Sequence, residues 1–378
     1  MKLSVKTRFD VGRNGVKALK VILILLGCLI IYFEWISYHL LPLSWPSTSM
    51  LETLYPALRV HTDRASKEQK VLRILLVADP QIQGFRDEPP GVLGVITRWD
   101  ADRYLSKTYS LIYQHIDPHL VIFLGDLLDE GSTASERDYE VYADRFRRLF
   151  PLHGSKVLYV AGDNDIGGEG AEVVTSTNID RFRKNFPTAV DGFWNTSLHL
   201  FEVNTLTNAV SNSIDVTSTP DHKLPRMLFS HMPLLRGYPD PFVEKVLNDF
   251  QPALIISAHT HKASMSQRSL SSTAYAQVTA GHRSDFAVFQ LNPNPVNVQE
   301  IVVPTCSYRM GVAEIGYGVA IIDLTAYRLF YSVFWTPSRY GQLACELWAL
   351  CAVAGFVLIF VVKQNYKLVY WKATKMFR

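Results

Sequence analysis

A length of 378 residues permits one large domain or two, and a hydrophobic content of 48% suffices for a sizeable core together with membrane spans. The formal charge of +3 is modest, and the basic residues gather at the two ends of the chain, which excludes the broad cationic face of a nucleic-acid-binding protein. Of four cysteines, Cys28, Cys345 and Cys351 lie in apolar runs near the ends, so Cys306 has no intramolecular disulfide partner in the region between them.

Residues 1–20 carry Lys2, Lys6, Arg8, Arg13, Lys17 and Lys20 and read as a cytosolic N-terminus. Residues 21–41 are apolar apart from Glu34 and His39, long enough to cross a hydrocarbon core of roughly 30 Å, and predict a transmembrane helix. A cleaved signal peptide is the rival reading. The length of the run and the lack of a small-x-small cleavage site favour an anchor. Residues 42–70, with Pro42, Pro46 and Pro56, read as a linker. At the far end, residues 343–362 form a second span interrupted by Glu346, followed by a basic tail over 363–378 with Lys363, Lys367, Lys372, Lys375 and Arg378. The positive-inside rule puts both tails in the cytosol and the domain at 71–337 in a lumen. Glu34 and Glu346 then fall toward the lumenal ends of their spans, placed at the interface or in a polar contact between helices. The sequon Asn195-Thr196-Ser197 would be lumenal, making the chain a glycoprotein.

Within 71–337 the same construction recurs. Ile74-Leu75-Leu76-Val77-Ala78-Asp79, Val121-Ile122-Phe123-Leu124-Gly125-Asp126 and Val157-Leu158-Tyr159-Val160-Ala161-Gly162-Asp163 are apolar runs that each end in a carboxylate. Runs without polar alternation predict strands covered on both faces, and in such α/β sheets chemistry collects beyond the carboxyl ends of the strands. An acidic strand-to-helix turn explains any one of them alone. Met227-Leu228-Phe229-Ser230-His231 and Leu254-Ile255-Ile256-Ser257-Ala258-His259-Thr260-His261 repeat the pattern with imidazoles. Oxygen and imidazole donors without thiolates suit manganese, iron or zinc, and shared carboxylates favour two ions roughly 3.5 to 4 Å apart. Helical patterns run from Trp99 to Ile116 and from Ser135 to Phe150, and Gly167-Gly168-Glu169-Gly170 reads as a loop near the proposed metals. Residues 205–225 read as a polar insertion at the rim. Strands expected at 275–280, 286–291, 319–323 and 327–335 would complete a second sheet.

In order and spacing, these motifs resemble the calcineurin-like metallophosphoesterase superfamily, whose pattern runs D-x-H, G-D-x-x-D, G-N-H-D, H and G-H-x-H. The resemblance implies an α/β fold, an αββα sandwich, here with one transmembrane helix at each end. It also implies that Asp79 and His261 hold one metal, that Asp163, His231 and His259 hold the other, and that Asp126 bridges them, with Asp129 closing the second motif. Gln81 stands where the family has histidine and is at most a weak ligand. Asp163-Asn164 stand where it has Asn-His, and Ala258 replaces a glycine. Asn164 cannot transfer a proton as the family's histidine does.

Gly125-Asp126-x-x-Asp129-Glu130-Gly131, Phe229-Ser230-His231-x-Pro233-Leu234-x-Arg236 and Val303-Pro304-x-x-Ser307-Tyr308-Arg309, combined with both spans, resemble the metallophosphoesterase 1 family more narrowly. That resemblance implies a phosphoric diester hydrolase that uses two manganese ions, with Asp126 and His231 as its catalytic residues. It would remove ethanolamine phosphate from the second mannose of GPI anchors and aid export of GPI-anchored proteins. Its partners would be the GPI glycolipid or GPI-anchored proteins, the membrane and ER cargo receptors. Its location would be ER exit sites and the ER-Golgi intermediate or cis-Golgi membrane, with an incomplete dilysine signal in Lys375-Met376-Phe377-Arg378. Arg236 and Arg309 are candidates for binding phosphate or glycan, against the ordinary role of arginines as surface residues. Two other classes stay open: an inactive descendant that binds the glycan or a cargo receptor, favoured by the loss of both histidines, and a phosphoesterase for soluble nucleotides.

Overall fold

The computed structural model describes residues 6–46, 71–86, 88–188, 198–212, 224–236, 240–271, 277–280 and 286–376. Asn195 and most of the expected linker, 47–70, lie outside the described residues. The chain divides into a helical unit, Met1–Leu41 with Pro337–Arg378, and a domain spanning Pro42–Thr336.

The helical unit pairs α1 (Lys6–Ile31), which continues through a π turn at Tyr32–Ile36 to His39, with the long C-terminal helix beginning at Arg339 and ending at Met376. Gly15–His39 and Arg339–Lys363 are each long and apolar enough to span a membrane. A Cβ at Gly15 would collide with the Phe360 ring, so the glycine permits close approach at one end of the pair. Nineteen residues further along α1, about 29 Å at 1.5 Å per residue, Glu34 pairs with Arg339 at 2.7 Å. Gln342 joins the same polar cluster, donating to Ser37 Oγ at 3.3 Å and accepting from Tyr38 at 3.2 Å. Glu34 therefore meets a charge partner on the neighbouring helix, the polar contact between helices that was one of the two placements open from sequence.

In the domain, continuous apolar runs become the central strands. β1 (Val71–Val77), β2 (Leu120–Phe123) and β3 (Lys156–Tyr159) pair in parallel, joined by α2 (Val92–Ile116) and α3 (Glu136–Leu149). Ser135 caps α3 by accepting from Asp138 N, and Arg147 and Arg148 occupy its last turn, where they suit the helix dipole. After β3 come α4 (Asp163–Ile166), α5 (Ser176–Asn185), β4 (His199–Asn204) and β5 (Ala209–Asn212). Then follow β6 (Arg226–Phe229), α6 (Pro241–Phe250), β7 (Leu254–Ser257), β8 (Ser264–Ser269) and β9 (Gln277–Ala280). The last strands are β10 (Ala287–Gln290), β11 (Asn297–Val302), β12 (Gly316–Asp323) and β13 (Arg328–Trp335), before the C-terminal helix α7 (Arg339–Met376).

One sheet runs β10-β13-β12-β1-β2-β3 and the other β5-β4-β6-β7-β11-β8-β9. Between them lies a core built from both: Leu72, Ile74 and Leu76 of β1 and Ile122 of β2 meet Met227 and Phe229 of β6 and Leu254 and Ile256 of β7. The outer face of the second sheet packs on Val243, Val246 and Leu247 of α6. On the outer face of the first, Phe123 lies against Phe146 and Phe150, with ring centroids 5.0 and 5.6 Å away. Helix, sheet, sheet, helix is the layering of the αββα sandwich.

Three sequence expectations change. The strands at 286–291, 319–323 and 327–335 do not belong to the second sheet: β12 pairs antiparallel with β1, so the late strands extend the first sheet and leave only β9 of that group in the second. β12 is buried along its whole length and has a hydrogen-bonding edge to offer, and the open flank of β1 accepts it. The rim insertion contributes β5, an edge strand in a hairpin with β4. Trp45, expected in the linker, belongs to the domain: its indole donates to Trp335 O at 2.8 Å and stacks on Phe334.

Phe146 is fully buried among Phe123, Phe150 and Phe186. Phe146→Ala should destabilise the domain by about 3 to 5 kcal/mol, read as a lowered unfolding midpoint of the detergent-solubilised chain, with far-UV circular dichroism unchanged at low temperature.

Candidate metal centre

The carboxyl ends of β1, β2, β3, β6 and β7 meet at one edge of the sandwich, and just beyond them stand Asp79, Asp126, Asp163, His231, His259 and His261. Asp79, Gln81, Asp126, His259 and His261 all adopt positive φ, between 39° and 64°, in a region that non-glycine residues rarely occupy. Such backbone persists only where surrounding contacts over-determine it. Here the strands stop and the chain turns sharply, which aims each side chain into the same space.

His231 occupies the middle. Its Nδ1–H donates to Leu124 O at 2.8 Å, which fixes the ring and turns Nε2 inward, 2.8 Å from Asp163 Oδ1 and 3.4 Å from Asp126 Oδ1. A Cβ at Gly125 would collide with this imidazole, and Gly125 has φ +96°, so only glycine fits between Leu124 and Asp126. His259 Nδ1 lies 3.3 Å from Asp163 Oδ1 and 3.2 Å from His231 Nε2. One ligand atom from each of Asp126, Asp163, His231 and His259 falls within 4.8 Å of the others, a spacing fit for one ion. On the other flank, Asp79 Oδ1 lies 3.8 Å from His231 Nδ1 and accepts from His259 N at 3.3 Å. The Gln81 amide lies 2.9 Å from Asp126 Oδ2 and 3.5 Å from His261 Nε2.

Elementary electrostatics makes this gathering costly without a cation. Burial, followed by the neighbouring Asp126, pushes Asp79 up to about 7 although His231 opposes the shift, and burial raises Asp126 as well. Burial also works against the Asp163 anion, yet hydrogen bonds from His231 and His259 hold its carboxyl well below the usual range. Burial disfavours the His231 cation, but Asp126, Asp163 and Asp79 together push it up to about 10. Burial, with the cationic tendency of His259 and His231, lowers His261. Asp79 Oδ2 is buried and has no hydrogen-bond partner among the described residues. An orphaned carboxylate oxygen beside further carboxylates and imidazoles fits divalent cations, with Asp126, Asp163, His231 and His259 around one position; the resemblance would put a second beside Asp126, with Asp79, Gln81 and His261.

Two arginines singled out from sequence are engaged by the protein. Arg236 donates to Ser264 Oγ at 2.6 Å, and Arg309 pairs with Glu88 at 2.6 Å and approaches Asp129 at 3.9 Å. Asp129 meets this arginine at the rim, whereas a different acid does the buried structural work. Asp165, fully buried, accepts from Leu127 N, Leu128 N and Gly162 N at 3.0 to 3.2 Å and so ties the loop after β2 to the loop after β3. Thr305 has a matching role: its hydroxyl donates to Asp79 O at 2.8 Å and its N–H to His261 O at 3.3 Å. Glu300 accepts from Leu234 N, Leu235 N and Ser257 Oγ and fixes the segment after His231. Of these, Asp165 had a signal in its position two residues after Asp163; Thr305 and Glu300 are legible only once distant segments are in contact.

Replacing Asp126 by Ala removes the carboxylate shared by both positions, so bound divalent metal should fall at both, whereas Gln81→Ala should weaken only one; elemental analysis of the purified full chain reads the difference. Because burial pushes Asp79 up to about 7 and the surrounding carboxylates push His231 up to about 10, metal must displace protons from the site. Raising the pH from about 6 to 8 removes the competition at Asp79, while His231 still gives up its proton on binding, so metal affinity should rise with pH, by up to about tenfold per unit for each proton released. Calorimetric titration in two buffers of different ionisation enthalpy measures both affinity and proton release.

The sequence matches the family model for calcineurin-like phosphoesterases over residues 72–263, just over half of the chain. It is 24% identical over 321 residues to cell division control protein 1 of Saccharomyces cerevisiae, covering 75% of this chain and 65% of that protein, so it spans just under two thirds of that relative's length. It is 26% identical over 311 residues to metallophosphoesterase 1 of Rattus norvegicus, covering 66% of this chain and 73% of that protein. Among solved structures, a metallophosphoesterase from Sphaerobacter thermophilus aligns with a TM-score of 0.36 at 13% identity, over 73% of this chain and 93% of its own.

Proposed function

Since the chain belongs to the calcineurin-like phosphoesterase family, we propose that it is a metal-dependent phosphodiesterase acting on a membrane glycolipid. The observation that carries the reading is the convergence of Asp79, Asp126, Asp163, His231 and His259 on one buried space, where Asp79 Oδ2 lacks a partner among the described residues. Two divalent ions at such a site, manganese in this proposal, supply Lewis acidity toward a phosphoryl group and its attacking water. The chain's own residues do the rest. His231, held by Leu124 O, would hold a metal through Nε2 together with Asp163 and His259, Asp126 would be shared between the two positions, and buried walls exclude bulk water from the site.

The proposed substrate is the ethanolamine phosphate branch on the second mannose of GPI anchors. Its support is the similarity to metallophosphoesterase 1 proteins, joined to two helices able to span a membrane. Under this proposal the domain faces the lumen, both termini are cytosolic, and the protein works at ER exit sites and the cis-Golgi, where its action would aid export of GPI-anchored cargo.

One observation favours a second reading, a binding protein for the glycan or a cargo receptor. Asn164 donates from N to Asp126 Oδ1 at 3.0 Å and from Nδ2 to Asp126 Oδ2 at 3.2 Å. It orients the bridging carboxylate and has no proton to give the departing sugar oxygen.

The purified full chain, loaded with manganese, should release ethanolamine phosphate from a GPI glycolipid. His231→Ala should lower that turnover by at least about 10²-fold, whereas Asn164→His should raise it or leave it unchanged. Normal export of GPI-anchored cargo in cells carrying well-expressed His231→Ala would turn the assignment toward the binding protein.

A further inference from the structure

The N-terminal part of α2 is built inside out. From Asp100 onward the helix buries Ala101, Tyr104, Leu105, Thr108, Tyr109 and Ile112, the ordinary behaviour of a helix on a sheet. Its first two turns instead expose Val92, Leu93, Val95, Ile96 and Trp99, with Phe85 beside them, each between 46% and 75% exposed. Positions 92, 95, 96 and 99 follow the i, i+3, i+4, i+7 spacing of one helix face, so the chain has built an apolar stripe and turned it outward. A cluster of large apolar side chains on one exposed face marks an interaction surface.

The charges around the stripe indicate what covers it. Arg98 lies over Phe85 at 5.2 Å, Arg103 over Trp99 at 5.6 Å, and Arg86 stands exposed next to Phe85. Among the described residues, the acids of this stretch are engaged by the domain: Glu88 pairs with Arg309, Asp100 accepts from Tyr308 at 2.8 Å, and Asp102 pairs with Arg145 at 3.1 Å. The outward face is thus aliphatic and aromatic with an arginine rim, the composition that suits acyl chains below and phosphate headgroups above. A bilayer is within reach, since the spanning helices end at His39 and resume at Arg339 while the domain occupies Pro42–Thr336. Tethering at both ends raises the effective concentration of membrane at any surface of the domain that can face it, without any new contact.

We propose that the Val92–Trp99 face of α2, with Phe85, inserts into the surface of the bilayer in which the chain is anchored. A two-turn helix segment, about 10 Å long at 1.5 Å per residue, can lie in the plane of the interface with its apolar face turned into the headgroup and acyl boundary. The patch adjoins the candidate metal centre through the arm Gln81–Glu88: Gln81 bonds Asp126, Glu88 bonds Arg309, and Arg309 reaches toward Asp129. Seating the patch therefore presents the mouth of the site to headgroups that lie in the membrane plane. This consequence rests on the proposed glycolipid activity; the membrane contact itself does not.

The test uses the full chain reconstituted in phosphatidylcholine vesicles with and without brominated phosphatidylcholine. The emission that wild type shows and Trp99→Phe lacks should fall at least about twofold in bromolipid. Replacing Val92, Val95, Ile96 and Trp99 together by Ser should raise KM for bilayer-embedded glycolipid about tenfold while leaving kcat and hydrolysis of a short soluble phosphodiester unchanged. Difference emission insensitive to bromolipid overturns the proposal, as does efficient disulfide cross-linking of Ile96→Cys between copies, which would assign the face to a second copy of the chain. Absence of hydrolysis of either substrate defeats the enzyme reading, while the quenching result still decides the surface.

Discussion

The arrangement depends on one electrostatic constraint: carboxylates and imidazoles crowd into a space too dry to screen them. Burial of Asp79, Asp126 and Asp163 near one another is unfavourable by itself, and the shifts of Asp79 and His231 show the strain in proton terms. Divalent cations would relieve it, because positive charge offsets the desolvation of each acid, and Asp79 Oδ2, without a partner among the described residues, is free to accept such charge. The fold's task is to hold these groups together until such charge arrives. Parallel strands in two sheets end at a common edge, residues at positive φ turn side chains inward, and Asp165, Thr305 and Glu300 fasten the connecting loops. Each of these is an investment in local backbone strain or buried polarity that only a charged ligand makes worthwhile.

Much of this was legible before any coordinates. Apolar runs ending in Asp79, Asp126, Asp163, His231 and His259 announce themselves because a doubly covered strand has no polar alternation, so the first polar residue after it marks the end. What periodicity could not supply is which strands are neighbours. β12 and β13 look like companions of the later strands in sequence but complete the first sheet, because strand pairing is settled by which edge is free, and an apolar run does not encode its partner. The supporting residues were hidden for the same reason. Thr305 lies 226 positions from Asp79, and nothing in Val303-Pro304-Thr305 signals a hydroxyl aimed at a distant carbonyl. Arg236 and Arg309, singled out as candidates for phosphate or glycan, stand against Ser264 and Glu88, neighbours that the motifs around them do not signal.

The departures from the family pattern acquire a physical meaning once Asp126 is seen in place. Gln81 and Asn164 donate to Asp126 Oδ2 at 2.9 and 3.2 Å, and Asn164 N adds a bond to Oδ1. Imidazoles at these two positions would also donate, but their hydrogen-bonding capacity would change with protonation near neutral pH, and with it the orientation of the shared carboxylate. Amides donate identically at every pH the protein meets. The substitution therefore separates two tasks that a histidine combines. Asp126 is oriented by donors that do not titrate, while the proton balance of metal binding is left to Asp79 and His231, whose ionisation the neighbouring charges govern. A site organised in this way holds Asp126 with donors whose hydrogen bonds do not change with pH, at the expense of any proton transfer from position 164 itself.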